Sequence, residues 1–316
     1  MSCTITYIVS IIQVQNLTKK FGDLTAVNNI SFEVRQGEIF GMLGPNGAGK
    51  TTTLEIIEGI QEPTSGKTSV LGLNSQEQLN EVKEHIGVQL QASAYFDNLT
   101  LTEILDLFGS FYKKRTEPAK LLESVGLTEK KNALVKNLSG GQKQRFSISA
   151  SLVNDPGIVF LDEPTTGLDP QARRHLWEYI RQISQQGKTI VLTTHYMEEA
   201  QRLCDRVAII DVGKIVALDT PAKLISNLKS SYRINLKLLE RVHADKFKQV
   251  QGVIEAREPA ETEEPQIQLH VNKATETLPS LLSLIEREKI KLEDIEMQPA
   301  NLEDVFLALT GKELRD

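Results

Sequence analysis

Short, unbroken apolar runs alternate with segments of helical spacing through the first two thirds of the chain. Ile39–Leu43 is one such run; it ends in a glycine-rich turn, after which the chain reads as a helix opened by Lys50 and Thr51. A second run, Ile158–Leu161, ends in acids, and a third spans Thr189–Thr194. Runs of this length without polar alternation are strands covered on both faces, so the pattern predicts an α/β domain with a largely parallel core. RVAIIDVGKIVALD, Arg206–Asp219, reads as a hairpin turning at Val212-Gly213. Between about Tyr95 and Leu152 the strand signal fades, and LTEILDLFGSFY and AKLLESVGL take helical spacing, which predicts a helical subdomain.

The pattern changes after about Asn227. Tyr232–Leu238 and Ile267–Val271 alternate as half-buried strands do, and the acidic, proline-punctuated EAREPAETEEPQ between them is expected to be a solvated loop. A helical stretch around Leu281–Glu288, a strand-like IKLEDIEMQ and a terminal helical NLEDVFLALTG complete a small α+β appendage. No internal repeat or sustained heptad is present.

Composition narrows the function classes. The chain has 316 residues, 40% of them hydrophobic and 25% charged, with a net charge of −6. A broad basic footprint for nucleic acid is absent, so no nucleic-acid partner is expected. The two cysteines, Cys3 and Cys204, are far apart and in no ligand spacing; they form no zinc cluster and fit a reducing compartment. The opening MSCTITYIVSIIQVQNL lacks a basic leader and has its apolar run broken by Thr4, Thr6 and Ser10. It reads as a short extension, residues 1–11, running into a first strand at about Ile12, rather than as a signal peptide. No apolar run approaches the ~20 residues that a membrane-spanning helix needs.

Gly44-Pro45-Asn46-Gly47-Ala48-Gly49-Lys50-Thr51 fits G-x-x-x-x-G-K-[ST] and stands between a buried strand and a helix, the context that motif requires. Its glycines let backbone amides face a phosphate chain, Lys50 can reach the β and γ phosphates, and the Thr51 hydroxyl can bind Mg²⁺. Asp162, at the end of a strand, fits the carboxylate that holds such an ion through water. Glu163 follows it, is expected to point elsewhere on an extended chain, and is assigned the general base for attacking water. His195 ends the third strand, where ligands bind in open α/β sheets, and is assigned a γ-phosphate contact. His85, His175, His243 and His270 lack such a setting and read as surface or structural residues.

A second glycine-containing loop, LSGGQKQR, precedes the apolar-rich FSISASLV. Ser139 therefore stands near a helix N-terminus, where it could cap the helix or help to hold an anion. With the phosphate loop, the Asp162-Glu163 pair and His195, this set resembles the ATP-binding cassette (ABC) ATPases, whose signature LSGGQ is matched by Leu138, Ser139, Gly140, Gly141 and Gln142. The resemblance covers roughly residues 12–225. It implies a P-loop NTPase cassette with a RecA-like core, an N-terminal antiparallel β subdomain and a helical subdomain at about 92–152. The cassette is expected over 12–228 and an accessory α+β domain over 229–316. It implies nucleotide contacts from Phe21, which matches the adenine-stacking aromatic, and from Gly44 through Thr52. It further assigns Gln91 a catalytic and Mg²⁺-linking role, and Gly167, Leu168 and Asp169 the loop that communicates between subunits.

In that family two nucleotide domains pair head to tail, with each ATP between the phosphate loop of one and the signature loop of the other. The implied cofactors are thus ATP and Mg²⁺, and the implied assembly is a homodimer or close heterodimer on a separate multi-spanning permease. The chain would then be cytoplasmic and peripheral at the inner face of the membrane. One cassette without long coiled coils or zinc modules points to a transporter subunit; the alternative is a non-transport ABC ATPase acting on nucleic acid or ribosomes. PANLEDVFLALTGKELRD resembles the end of bacterial ABC-2 type exporter ATPases for drugs, antibiotics and sodium, although a helix packing Leu302, Val305, Phe306 and Leu309 on its own domain accounts for part of the pattern. Tyr95, Phe96 and Leu99, after Gln91, are the expected anchors for the permease.

Overall fold

The structure, a computed structural model, describes residues 9–90, 95–96, 98–258 and 265–311. It divides into two compact units, the second beginning at Ala222.

In the first unit, β1 (Ser10–Phe21) and β2 (Leu24–Arg35) form an antiparallel pair. β3 (Ile39–Leu43) is buried at every residue, as its unbroken apolar run requires. It leads through the glycine loop into α1 (Lys50–Ile57). β4 (Ser65–Val70) and the short β5 (Leu73–Asn74) return to complete a four-stranded sheet of order β2-β1-β4-β5. After α2 (Leu79–Lys83) and β6 (Ile86–Gln89), the chain passes into a helical region of α3 (Leu101–Gly109), α4 (Pro118–Ser124) and α5 (Gly140–Ala150). It re-enters the core through β7 (Ile158–Asp162), α6 (Pro170–Gln185), β8 (Thr189–Thr194) and α7 (Met197–Leu203). β9 (Arg206–Asp211) and β10 (Lys214–Asp219) close the unit as the expected hairpin, with Val212 at φ 47° and Gly213 at φ 72° in its turn.

The six-stranded sheet runs β10-β9-β3-β8-β7-β6, and all of its pairings are parallel except that of the β9–β10 hairpin. Both sheets contribute to one core: Ile12, Val14 and Phe32 from the antiparallel sheet cluster with Phe40, Met42 and Phe160 from the parallel one. Phe32 and Phe40 stack with ring centroids 5.3 Å apart. α6 turns Leu176, Ile180 and Ile183 inward at i, i+4, i+7 spacing. The parallel strands β3, β7 and β8 thus end side by side, and the loops that leave their carboxyl ends carry the chemistry.

The second unit begins within α8 (Pro221–Ser226) and builds an antiparallel sheet from β11 (Tyr232–Leu238), β12 (Val253–Arg257), β13 (Gln266–Val271) and β14 (Leu292–Pro299), in the order β12-β13-β11-β14. Ile234, Leu236 and Leu238 of β11 cluster with Leu281 and Leu284 of α9 (Ala274–Arg287). Three expectations need correction here. Glu255, Ala256 and Arg257 belong to the edge strand β12 rather than to a loop, because they pair with β13 on its outer side. α9 begins at Ala274, well before Leu281, and carries Pro279 within it. In α10 (Leu302–Thr310), Leu302, Val305 and Phe306 are buried but Leu309 is 47% exposed, so it is not part of the packed face.

Candidate active site

The phosphate loop is shaped by close backbone approaches. A Cβ on Gly44 would stand 2.2 Å from the Ile210 carbonyl, and one on Gly49, which sits at φ +98°, would stand 2.3 Å from the Ala26 carbonyl. Only glycine passes both points. Gly49 is also the N-cap of α1; no side chain caps that helix and no acidic residue lies in its first turn. The positive end of α1 is therefore left to an external anion. Around it Pro45 is half-buried, Asn46 and Gly47 are exposed, Ala48 is buried, and Thr51 and Thr52 are half-buried.

Lys50 is 4% exposed, and its Nζ donates to the Gly44 carbonyl at 2.8 Å and the Pro45 carbonyl at 3.1 Å, with Glu163 Oε1 3.4 Å away. Burial lowers its pKa and the neighbouring Glu163 carboxylate works against that. Thr51 Oγ1 donates to Asp162 at 3.1 Å and 3.2 Å from its two carboxyl oxygens. Burial raises the pKa of Asp162, opposed by the hydroxyls of Thr193 and Thr51.

Glu163 departs from expectation. It is not extended: the β7 ladder stops at Asp162, paired with Thr193, and Glu163 turns to φ +46°, the left-handed region. Its N–H donates to Thr193 Oγ1 at 3.0 Å, so the chain bends and brings the Glu163 carboxyl back beside Asp162's site. A non-glycine residue held there costs about 1–3 kcal/mol, and such strain gathers at functional sites. The carboxyl lies 3.3 Å from His195 Nδ1, and Thr166 Oγ1 donates to it at 3.1 Å. The His195 contact, against the opposing effect of burial and with help from Lys50, pulls its pKa down to about 2.

Lys50, Thr51, Asp162, Glu163 and His195 thus meet in one cluster. Thr193 and Thr166 complete it: the Thr193 hydroxyl donates to Asp162 and accepts from Glu163 N–H, locking the two acids in place. Sequence reasoning missed both threonines. The available signal was the position of Thr193 at the end of a strand predicted to lie beside the acidic one.

Other expected residues lie elsewhere in the unit. Phe21 ends β1, 45% exposed, with Lys19 Nζ 4.9 Å from its ring centroid. Leu138 is buried, whereas Ser139 and Gly140 are exposed. Ser139 is the N-cap of α5 in a capping box: its N–H donates to Gln142 Oε1 at 3.0 Å, and its Oγ accepts from Gln142 N–H at 3.4 Å. A Cβ on Gly141 would stand 3.3 Å from Ala172 Cβ at the start of α6. Gly167 turns at φ +76° and Leu168 N–H bonds the Thr165 carbonyl. Asp169 caps α6 by accepting from Gln171 and Ala172 N–H at 3.0 Å and 2.9 Å. Gln91 lies outside the described residues. Tyr95 is not a free anchor, because its ring packs against Phe146 at 5.3 Å and Phe108 at 6.2 Å; Leu99 is half-buried and Phe96 is 58% exposed.

The family model for ABC transporters matches residues 27–166. A Nod factor export ATP-binding protein I of Ralstonia nicotianae is 39% identical over 326 residues, covering 97% of this chain and 95% of that protein. A linearmycin resistance ATP-binding protein of Bacillus subtilis is 37% identical over 313 residues, covering 96% of this chain and 100% of its own. The chain belongs to the ATP-binding subunits of ABC transporters. Among solved structures, a dimeric ATP-binding cassette in a post-hydrolysis state bound to ADP and Pi is 25% identical with a TM-score of 0.60, covering 66% of this chain and 98% of that one. As an ABC ATPase the protein binds and hydrolyses ATP, and its first unit has the α/β cassette fold.

Proposed function

We propose that this ABC ATPase is the motor subunit of an exporter, pairing head to tail with an identical or closely related chain around two ATP and driving a separate membrane permease. One observation carries the head-to-tail reading. The signature loop is exposed at its own helix N-terminus, and its side chains hydrogen-bond to each other's backbone rather than to the Lys50–Asp162–Glu163 cluster. In this reading such a loop serves the nucleotide of a second chain. The solved relative that is a dimer with ADP and Pi supports pairing, and the export and resistance functions in the relatives' names support the direction of transport.

The residues fit Mg²⁺ carried in on the nucleotide. Thr51 and Asp162 offer a hydroxyl and a carboxylate side by side, and among the described residues no three His, Cys, Asp or Glu gather as a protein-only cage. An ion here would take its other ligands from phosphate and water, as Mg²⁺ does; it would neutralise charge on the phosphates. The chain's own groups do the rest. Lys50 transfers its hydrogen bonds from the Gly44 and Pro45 carbonyls to the phosphates. That removes one of the groups holding Glu163 strongly acidic and makes it a better acceptor for the proton of attacking water. His195, beside Glu163, contacts the γ-phosphate, and Phe21 stacks on adenine.

No helix among the described residues is long and apolar enough to cross a membrane; in this reading the transport path lies in the permease. A cavity of about 480 Å³ between α1, β6 and the helical region offers that partner a seat. Phe111, 71% exposed, and Ile60, 53% exposed, stand on its wall, and aromatic groups are favoured at interface centres.

Glu163→Gln tests the assignment. It should bind MgATP as the wild type does, accumulate as an ATP-bound dimer, and lose about 10²–10⁴-fold in turnover. Near-normal turnover in single-turnover assays would remove Glu163 from the role of base.

A further inference from the structure

A carboxyl that touches no expected substrate atom lies beneath the two loops that carry Glu163 and His195. Glu199 is 0% exposed. Its Oε1 accepts from Thr165 Oγ1 at 2.9 Å and from Trp177 Nε1 at 2.9 Å. The three residues come from three segments. Thr165 is two positions after Glu163. Trp177 is in α6, the helix capped by Asp169 of the inter-subunit loop. Glu199 is in the first turn of α7, which begins two residues after His195.

A second contact joins the same segments. The Arg173 guanidinium of α6 lies 4.1 Å from the ring centroid of Tyr196, and that ring is 4.1 Å from the His195 ring. Burying a carboxyl here is unfavourable: desolvation raises its pKa, opposed by the hydroxyls of Thr194 and Thr165 and by the Trp177 N–H. An apolar side chain would pack at that position at lower cost. What Glu199 adds is direction, since two hydrogen bonds fix where the loop after Glu163 and the turn after His195 stand relative to α6.

We propose that Glu199 is a positioning residue of the ATPase: by accepting from Thr165 and Trp177 it locks the Glu163–Asp169 loop, α6 and the His195 turn into one unit. Glu163 and His195 then keep their 3.3 Å spacing when Lys50 leaves for the phosphates. A neighbouring chain that touches Gly167–Asp169 acts on both residues at once through this unit. The proposal rests on the reading of Glu163 and His195 as the groups that act at the γ-phosphate.

The test uses the full chain with MgATP and reads kcat, KM, nucleotide affinity and melting temperature. Glu199→Leu removes the oxygen that accepts both bonds. Thr165→Val removes one donor at nearly constant volume, Trp177→Phe removes the other with a smaller ring, and they stand in for Glu199→Leu should it fail to fold. Misplacement of reacting groups by about 1 Å costs ~10²-fold in rate. Glu199→Leu should therefore lose on that order in kcat while KM and ATP affinity change less than about threefold, and Thr165→Val should lose about tenfold. Glu199→Gln keeps an acceptor oxygen and should recover most of kcat. Combined with Glu199→Leu, Thr165→Val should add no further loss. Wild-type kcat in Thr165→Val and Trp177→Phe, or a fall in affinity as large as the fall in kcat, would overturn the proposal. Glu163→Gln run alongside separates the two readings. If it keeps turnover, the catalytic assignment fails. If it is inactive while the Glu199 series is unaffected, only the positioning role fails.

Discussion

The N-termini of α1 and α5 are built from similar residues and do opposite things. Both starts combine glycines with a hydroxyl and a basic residue nearby. At α1 the N-cap is Gly49 in the left-handed region, with no side chain on the amides, and a buried lysine held by two loop carbonyls. At α5 the N-cap is Ser139, and Gln142 completes a capping box. The first end has left its donors for a ligand and carries the charge to hold it. The second has already satisfied two of its donors from within and keeps its serine and first glycine exposed. The difference teaches that a phosphate-like composition at a helix start does not by itself define a site in the same chain. Who caps the helix decides it. The far ends differ too: α5 ends at Ser151, whose hydroxyl bonds the Ile148 carbonyl, whereas α1 ends at Glu58, a buried acid with neither oxygen hydrogen-bonded among the described residues.

The comparison breaks most readily at Lys50. Lys50→Ala should weaken MgATP binding by about 10²-fold or more, since a buried charge partner of the phosphates is lost. Ser139→Ala should leave ATP affinity of the isolated monomer unchanged, as measured by fluorescent nucleotide titration. Equal losses in the two variants would erase the distinction between the helices.

Glu58 sharpens the contrast at the other end. Burial, with the charges of Asp162 and Glu55 adding to it, raises its pKa to about 8. The folded protein then keeps a proton that the unfolded chain has lost above about pH 4.5. Stability should therefore fall as pH rises from about 4.5 to 8 and level off beyond, a contribution on the order of 4 kcal/mol. Glu58→Gln should remove this slope in denaturant titrations across that range. A variant that matches the wild type at both pH 5 and pH 8 would show that Glu58 is not held neutral. The smallest effect is again at Ser139, where loss of the cap should cost about 1 kcal/mol in unfolding free energy.

Much of this was legible in the sequence. Ile39–Leu43, Thr189–Thr194 and Tyr232–Leu238 were readable to the residue, because unbroken or strictly alternating apolar patterns leave no alternative register. The Lys50 position followed from the glycine motif, and those of Asp162 and His195 from strand ends. β12 was hidden because as an edge strand it carries Glu255 and Arg257 beside His270 and Gln268, and its polar side outweighs Ala256 in so short a run. α9 was read too late because Pro279 looks like a boundary, although the helix passes through it. The turn at Glu163 was not legible, since nothing local forces φ +46° there; the hydroxyl of Thr193 on the neighbouring strand does. Glu199 was likewise illegible, as its partners lie 34 and 22 residues away in sequence.

The central claim is that the two helix ends serve two different nucleotides, so that each working site is shared between chains. Mixing Lys50→Ala protein with Ser139→Arg protein tests it directly. Homodimers of either variant carry damage in both sites. A mixed dimer places both lesions in one site and leaves the other with an intact phosphate loop and an intact signature loop. The mixture should hydrolyse ATP and pair in an ATP-dependent manner where neither variant alone does. A mixture no more active than the separate proteins, or a Ser139→Arg monomer that no longer binds ATP, would contradict the account.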